Sequence, residues 1–369
     1  MLEMTKLRLP TAHIRVFSLA VLMLASWCIA GCSPSNTPDS SPSRPSRTTH
    51  AADPNAIFAY RTGTEIGLVR GNQVVARASG NFMYPQFTAD RRYLFAYSLT
   101  NSDLLSVINT ETNKADTRRV SSGRSAPGQG SSIVWWQNPN QLISLDLSNP
   151  ASAPTTVREI DLPPAPGGRT PTARVLATYG EMTLLARLDS PGGVALGPDN
   201  LYLAKGGTVT PLGTTAGDES ISSAVVSPDG QSIAYATSQR QCGHATVGLI
   251  DVNKGTTTSL QLPSSVAADT HTAVRWLWWG ADNKLHASFS SKQCKPPYDQ
   301  SEPFKDPSFW TLINGQWQKG QSGVYQKLDI SPDVVVLLAP SRDGGTLLSV
   351  EDRGSTTDIA TNVQYVAVP

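Results

Sequence analysis

Charge is scarce in this chain and almost evenly split: of 369 residues, 30 are Lys or Arg and 29 are Asp or Glu, together 16%. So close a balance excludes a basic nucleic-acid stripe or a polybasic membrane patch as the organising feature. Apolar runs of spanning length are missing, which excludes a multi-span membrane protein and points to a globular body. No Gly-X-Ser-X-Gly elbow and no Walker loop occurs, so neither a hydrolase nucleophile nor a phosphate cradle is signalled. Among the histidines, His244, His271 and His286 belong to the body, and no pair has zinc-protease spacing; no cysteine pair has zinc-finger spacing. Neither a metal nor a cofactor is expected.

The first residues set a compartment. Lys6, Arg8 and Arg15 precede an uncharged, mostly apolar run from Val16 to Gly31. That is a signal-peptide profile, and its 16 residues fall short of the roughly 20 needed to cross a bilayer. The run closes on Ile29-Ala30-Gly31-Cys32, which resembles the lipobox of bacterial lipoproteins, where small residues admit the peptidase and the cysteine thiol takes diacylglycerol. The resemblance implies cleavage before Cys32 and acylation of that residue, palmitate included. Acyl chains in pairs supply a stable anchor, so it implies a protein held by its N-terminal lipid on the extracytoplasmic face of the cell membrane.

Cleavage there leaves 27 basic and 28 acidic residues, a formal charge of −1. Residues 33–52 are rich in Ser, Pro and Thr, with no aliphatic side chain larger than Ala, and read as a flexible tether. The expected division is 1–31 signal peptide, 32–52 lipidated cysteine and tether, and 53–369 body.

From Ile57 onward, short runs of Val, Ile, Leu, Tyr and Trp alternate with Gly, Pro, Asn and Asp clusters, and the body reads as all-β. One element is a strand, a tight turn and a second strand, clearest at Val226-Ser227-Pro228-Asp229-Gly230 before Ile233-Ala234-Tyr235. Weaker copies surround Asp90, Asp282 and Asp333, and Trp136-Gln137-Asn138-Pro139-Asn140 reads as a looser one. A second element, an apolar strand closing on Asp, Asn or Gly, recurs seven times: Ile66 to Gly71, Leu105 to Asn113, Leu142 to Asn149, Leu201 to Gly207, Val247 to Gly255, Trp310 to Gly315 and Leu347 to Gly354. Its mean spacing of about 47 residues is close to the 40 to 45 of a four-stranded propeller blade.

The Ser-Pro-Asp-Gly turn and the hairpin Leu249 to Gly255 resemble blades of TolB-like and WD-repeat β-propellers, from about Ile57 to Val368 and least well over 172–212. The expected fold is a single seven-bladed propeller of four-stranded blades, with six or eight blades and a two-domain β-sandwich as alternatives. Unit one lacks its inner strand and the chain ends with a surplus one, Val363 to Val368. A C-terminal strand completing the first blade removes both unpaired edges.

Asp90, Asp229, Asp282 and Asp333 share one repeat position, which points to turn geometry rather than acid-base work. Trp135, Trp136, Trp276, Trp278 and Trp279 are assigned to inner strands, filling space between blades. Cys242 and Cys294 follow the second strands of adjacent units, and in an exported protein the pair is expected as a disulfide. Long connections, 121–132, 163–171, 189–199, 239–244 and 290–307, are expected on one face. The last carries Lys292, Lys295, Tyr298 and Phe304 and is the candidate binding loop. The expected function is non-catalytic binding of a protein or cell-envelope ligand through this face. The alternative is a propeller hydrolase, lactonase or quinone-dependent dehydrogenase, which needs His, Asp, Glu or Arg converging on the central funnel.

Overall fold

The computed structural model describes residues 56–120, 124–166, 171–189, 197–216, 220–237, 243–263, 270–294 and 307–369. Among them there is no α-helix, and 28 strands form seven four-stranded antiparallel sheets, the blades of one propeller. In chain order the first blade contributes β1 (Ile57–Arg61), β2 (Glu65–Arg70) and β3 (Gln73–Ser79). The second holds β4 (Gln86–Phe87), β5 (Tyr93–Tyr97), β6 (Leu104–Asn109) and β7 (Ala115–Arg119). The third holds β8 (Ala126–Pro127), β9 (Ser132–Gln137), β10 (Gln141–Asp146) and β11 (Thr155–Glu159). The fourth holds β12 (Ala173–Tyr179), β13 (Met182–Arg187), β14 (Asn200–Lys205) and β15 (Thr208–Thr214). The fifth holds β16 (Ile221–Val226), β17 (Ser232–Thr237), β18 (Val247–Asp251) and β19 (Thr256–Leu260). The sixth holds β20 (Thr270–Trp279), β21 (Leu285–Gln293), β22 (Ser308–Ile313) and β23 (Gln316–Lys319). The seventh holds β24 (Gln326–Ser331), β25 (Val334–Pro340), β26 (Thr346–Asp352) and β27 (Ser355–Thr361).

Closure follows the expected route. The last strand, β28 (Tyr365–Ala367), pairs antiparallel with β1 through Ala59↔Ala367, Tyr60↔Val366 and Arg61↔Tyr365, and so becomes the inner strand of the first blade. The first strand of each blade faces the ring's interior, since β4 meets β8, β8 meets β12, β12 meets β16 and β16 meets β20. Second and third strands lie between neighbouring blades, so both their faces are covered; all of Tyr93–Tyr97 is buried. Outer strands face water: β7 and β11 are mostly exposed and carry Asp, Thr, Arg and Glu, which discourages edge-to-edge pairing.

The core is divided among the seams. In β1, Phe58 and Tyr60 pack into a cluster shared with blades six and seven, whereas the intervening Ala59 packs with Ile66, Leu94 and Ile108 toward blade two. Alternation within a strand thus serves two seams at once.

The recurring Asp is a turn device at three positions. Asp229 Oδ1 accepts from Ser227 Oγ at 2.6 Å and from the Gln231 N–H at 2.9 Å, while Gly230 takes φ +68°. Asp90 repeats this with Thr88 Oγ1 at 2.6 Å and the Arg92 N–H at 3.1 Å. Asp282 accepts the Lys284 N–H at 3.2 Å. The hydrogen bond from Ser227, then that from the Gln231 N–H, holds the Asp229 carboxyl below its ordinary range. Asp333 instead lies 3.5 Å from Arg353.

The third blade departs from the sequence reading. Its inner strand is the two-residue β8, so Trp135 and Trp136 lie in the second strand, and Asn138-Pro139-Asn140 joins second to third. The run 121–132 accordingly contains a strand and a turn rather than one loop. Residues 173–214, the least blade-like stretch in sequence, form a regular blade whose first turn is only Gly180-Glu181. The tryptophans of β20 do lie in an inner strand. Trp279 Nε1 donates to Val225 O at 3.1 Å on blade five, and Trp276 Nε1 donates to Gln364 O at 3.1 Å beside the closing strand.

Candidate functional site

Because every blade is an antiparallel meander, connections from second to third strand and from outer strand to the next inner strand leave at one end. The remaining turns leave at the other. At the loop-rich end, the residues that open the inner strands of successive blades form a rim.

On blade one, Arg61 ends β1 and its guanidinium donates to Gln364 Oε1 while stacking 5.3 Å from the Tyr84 ring centre. Burial lowers the Arg61 pKa, and Tyr84 opposes that shift. Tyr84 is 52% exposed, and its ring lies 4.8 Å from that of Tyr365. Burial pushes the Tyr365 phenol up to about 12. Gln86, at the start of β4, donates to Ser125 O at 3.4 Å.

Arg124 stands next on the rim, just ahead of β8. It is solvent-exposed yet enclosed enough for desolvation to lower its pKa, with repulsion from Arg174 adding to the effect and Asp199 opposing it. Arg174, the second residue of β12, forks onto fully buried Asp199, with Nη1 to Oδ1 at 2.9 Å and Nη2 to Oδ2 at 2.5 Å. The Ile221 N–H, where β16 begins, donates to Asp199 Oδ2 at 2.7 Å, and Arg174 Nη2 reaches Ile221 O at 3.3 Å.

A second buried pair braces the loops behind this one. Arg187 holds Asp189 through Nε at 2.7 Å and Nη2 at 3.0 Å, and donates to Pro163 O at 2.6 Å and the Tyr202 hydroxyl at 2.8 Å. Asp189 Oδ2 also accepts from Asn200 at 2.7 Å. All four guanidinium hydrogen bonds are internal, so this pair is structural support.

Of the residues singled out from sequence, Cys32, Cys242, Lys295, Tyr298 and Phe304 lie outside the described residues. Lys292 is not in a loop: β20 and β21 extend beyond the rest of their sheet, and Lys292 pairs with His271 there. Cys294 follows β21 directly. On the other flank of that extension, the residue after Cys242, Gly243, accepts the Thr272 N–H at 3.1 Å, and Thr272 O accepts the Ala245 N–H at 2.9 Å. Thr270, two residues before Thr272, pairs with Gln293. Both cysteines therefore adjoin segments that meet β20.

His286 is enclosed by Trp278 and Phe309, with ring centres 5.4 and 5.5 Å away, and its Nδ1 is 2.9 Å from Thr311 Oγ1. Burial lowers its pKa despite nearby Asp282 and Asp329. Among the described residues, no three His, Cys, Asp or Glu side chains stand close enough to hold a metal ion. Sequence reasoning missed Arg61, Arg124 and Arg174, which lie in different repeats and form no motif. Only knowing which strand ends meet at the loop-rich end brings them together.

No protein-family model matches this chain, and no curated protein does. Solved propellers resemble it at low identity. The Cps50 (Swd1) propeller domain of Myceliophteria thermophila is 10% identical, with 82% of this chain and 94% of that one covered and a TM-score of 0.49. The dihydro-heme d1 dehydrogenase NirN is 15% identical over 88% and 77%, with a TM-score of 0.47. TolB from Acinetobacter baumannii is 13% identical over 75% and 67%, with a TM-score of 0.36. Likeness at this level carries no functional argument for this chain.

Proposed function

We propose that this chain is a lipid-anchored protein of the extracytoplasmic membrane face whose propeller binds a protein or cell-envelope ligand through its loop-rich end. The observation that carries the binding reading is the convergence, at that one end, of the longer connections and a rim of Arg, Tyr and Gln side chains. Rigid blades under variable loops make a broad recognition surface. Support for the anchor is the placement of Ile29-Ala30-Gly31-Cys32 at the end of the apolar run. Cys242 and Cys294 are proposed as a disulfide that pins the connection 294–307 to blade five, reducing the ordering cost of binding.

The enzyme reading draws on Arg124, Arg174 and Asp199, three ionisable groups at the rim. Asp199 is fully buried and committed to Arg174 and the Ile221 N–H, which suits bracing the ends of β12 and β16 rather than moving a proton.

Photocrosslinking in native membranes tests the binding reading, with the probe at Tyr84 on the loop-rich end or at Asn253 on the short-turn end. Adducts confined to Tyr84 are expected; adducts only at Asn253, or none at either, refute it. Detergent phase partitioning tests the anchor: the native chain is expected in the detergent phase and Cys32→Ala in the aqueous phase.

A further inference from the structure

We propose that the central channel holds a binding site for a small organic acid with an aliphatic tail, Arg275 taking the carboxylate and Leu176 the tail. The site lies inside the ring, apart from the loop-rich surface, so its test leaves the reading of that surface untouched. A repeated irregularity of the inner strands creates it. Each of β12, β16 and β20 is bulged against its second strand, and the residues left without a partner are Leu176, Ser222 and Arg275. In a regular strand, residues two apart share a face; across these bulges they do not. Val175 packs into the seam between blades three and four, and Ala177 into that between four and five. Val274 likewise packs toward blade five and Trp276 toward blade seven. The residue between them belongs to neither seam. Because the inner strand has no neighbour on its other edge, the bulge aims that side chain into the ring's interior. Arg275 and Ser222 are accordingly exposed, and Leu176 is half-buried against the seam between blades four and five. Since β12 meets β16 and β16 meets β20, and each bulge lies three or four residues before its strand ends, the three positions follow one another along the channel wall.

Arg275 is the one cation of this group, and among the described residues no hydrogen bond or ion pair reaches its guanidinium. The exposed carboxylate of the neighbouring inner strand, Asp329, stands 3.9 Å from Lys327 instead. Ser222 gives its one hydroxyl proton to Ala236 O at 3.1 Å, so it offers a small neutral surface beside the arginine, with Leu176 beyond it. A guanidinium selects planar carboxylates through paired N–H donors, and a protein wall around it strengthens the attraction relative to open water. One cation next to neutral and apolar groups fits a monoanion that continues into CH2 groups better than a phosphate dianion. With no carboxylate, imidazole or thiol among the three positions, the arrangement holds a ligand and does not transform it.

Saturation-transfer NMR and titration calorimetry on the mature chain test this, with hexanoate as the probe and acetate, n-hexylamine and inorganic phosphate for comparison. Hexanoate is expected to bind, and hexylamine and phosphate not to. Acetate, lacking the tail, should bind at least about tenfold more weakly. Arg275→Gln should weaken hexanoate binding at least about tenfold, the scale of one charge-assisted hydrogen bond, and Arg275→Lys should keep part of it. Both changes fall at an exposed side chain and should leave the melting temperature unchanged. A diazirine analogue of hexanoate, photolysed on the native chain, should label peptides of β12, β16 or β20, and this readout decides even where a variant fails to fold. No hexanoate binding by the folded native chain, binding unchanged in Arg275→Gln, or label confined to segments outside these three strands overturns the inference. So does acetate or phosphate binding as tightly as hexanoate, because the ligand would then be any anion rather than an acid with a tail.

Discussion

Two glycines in third strands are paired directly with a buried tyrosine in the second strand of the same blade, Tyr60↔Gly67 and Tyr235↔Gly248. Each ring lies across the strand over the space that a side chain would fill. A Cβ on residue 248 would stand 2.0 Å from Tyr235 Cζ and 2.4 Å from its hydroxyl, whereas carbon contacts settle near about 3.5 to 4.0 Å. The ring, only 3% exposed and packed in the seam between blades four and five, must then retreat into occupied space. Overpacking of this kind costs about 1 to 3 kcal/mol. At residue 67 the Cβ would lie 2.2 Å from Tyr60 Cε1, and that ring is also tethered, its hydroxyl donating to Glu65 Oε1 at 2.6 Å and accepting from Arg77 at 3.3 Å. Moving it sacrifices these bonds at about 1 kcal/mol more, so Gly67→Ala should be the worse of the two. Equilibrium urea denaturation followed by tryptophan fluorescence measures both. The sign is the sharp criterion, because Ala for Gly in an unobstructed strand stabilises by about 0.5 to 1 kcal/mol. Tyr235→Leu should abolish most of the Gly248→Ala penalty in a double-mutant cycle. Stabilisation by either alanine, or additivity in the cycle, would refute the packing argument.

Asp199→Ala leaves Arg174 without its buried partner and should cost about 3 to 5 kcal/mol in denaturant unfolding, much more than removing the partly exposed Asp251. His286 is held neutral by burial, so the unfolded chain binds a proton that the fold resists; stability should decline as pH falls through about 6.5. The part of that decline due to this ring should vanish in His286→Gln, measured as the difference in unfolding free energy between pH 7 and 5. Trp276→Phe removes the donor to Gln364 O next to the closing strand and should lower stability by about 1 to 2 kcal/mol, detectable in the same unfolding assay. Replacing both Cys242 and Cys294 by Ser should cost about 2 to 4 kcal/mol in the same unfolding assay; native thiols that react freely with an alkylating reagent would refute the proposed bond.

Much of the fold was legible because the repeat carries its signal in two places at once. All seven apolar strands closing on Asp, Asn or Gly are third strands, since that strand is buried on both faces and must be apolar, while the hairpin after it needs an Asx or a left-handed residue. The third blade was misregistered for a physical reason. Ala126–Pro127 has no branched or aromatic run to announce a strand, so by sequence alone the nearby Trp135-Trp136 run takes the inner-strand position. The rim was not legible. Arg61, Arg124 and Arg174 share only a position at strand ends, and such positions become neighbours through ring closure rather than through any local pattern.

Pairing of β1 with β28 also fixes where the chain enters the propeller. Ala59 lies opposite Ala367, so the start of β1 and the end of β28 are at the same end of their sheet. It is the end of the short turns, because β1 runs from there to Arg61 and the loop-rich rim. A chain held from upstream of Ile57 is therefore held by its short-turn side, like a dish gripped from beneath. Any pull from upstream loads the first blade end-on through paired neighbouring strands, and the loop-bearing end is left clear of the point where the chain enters.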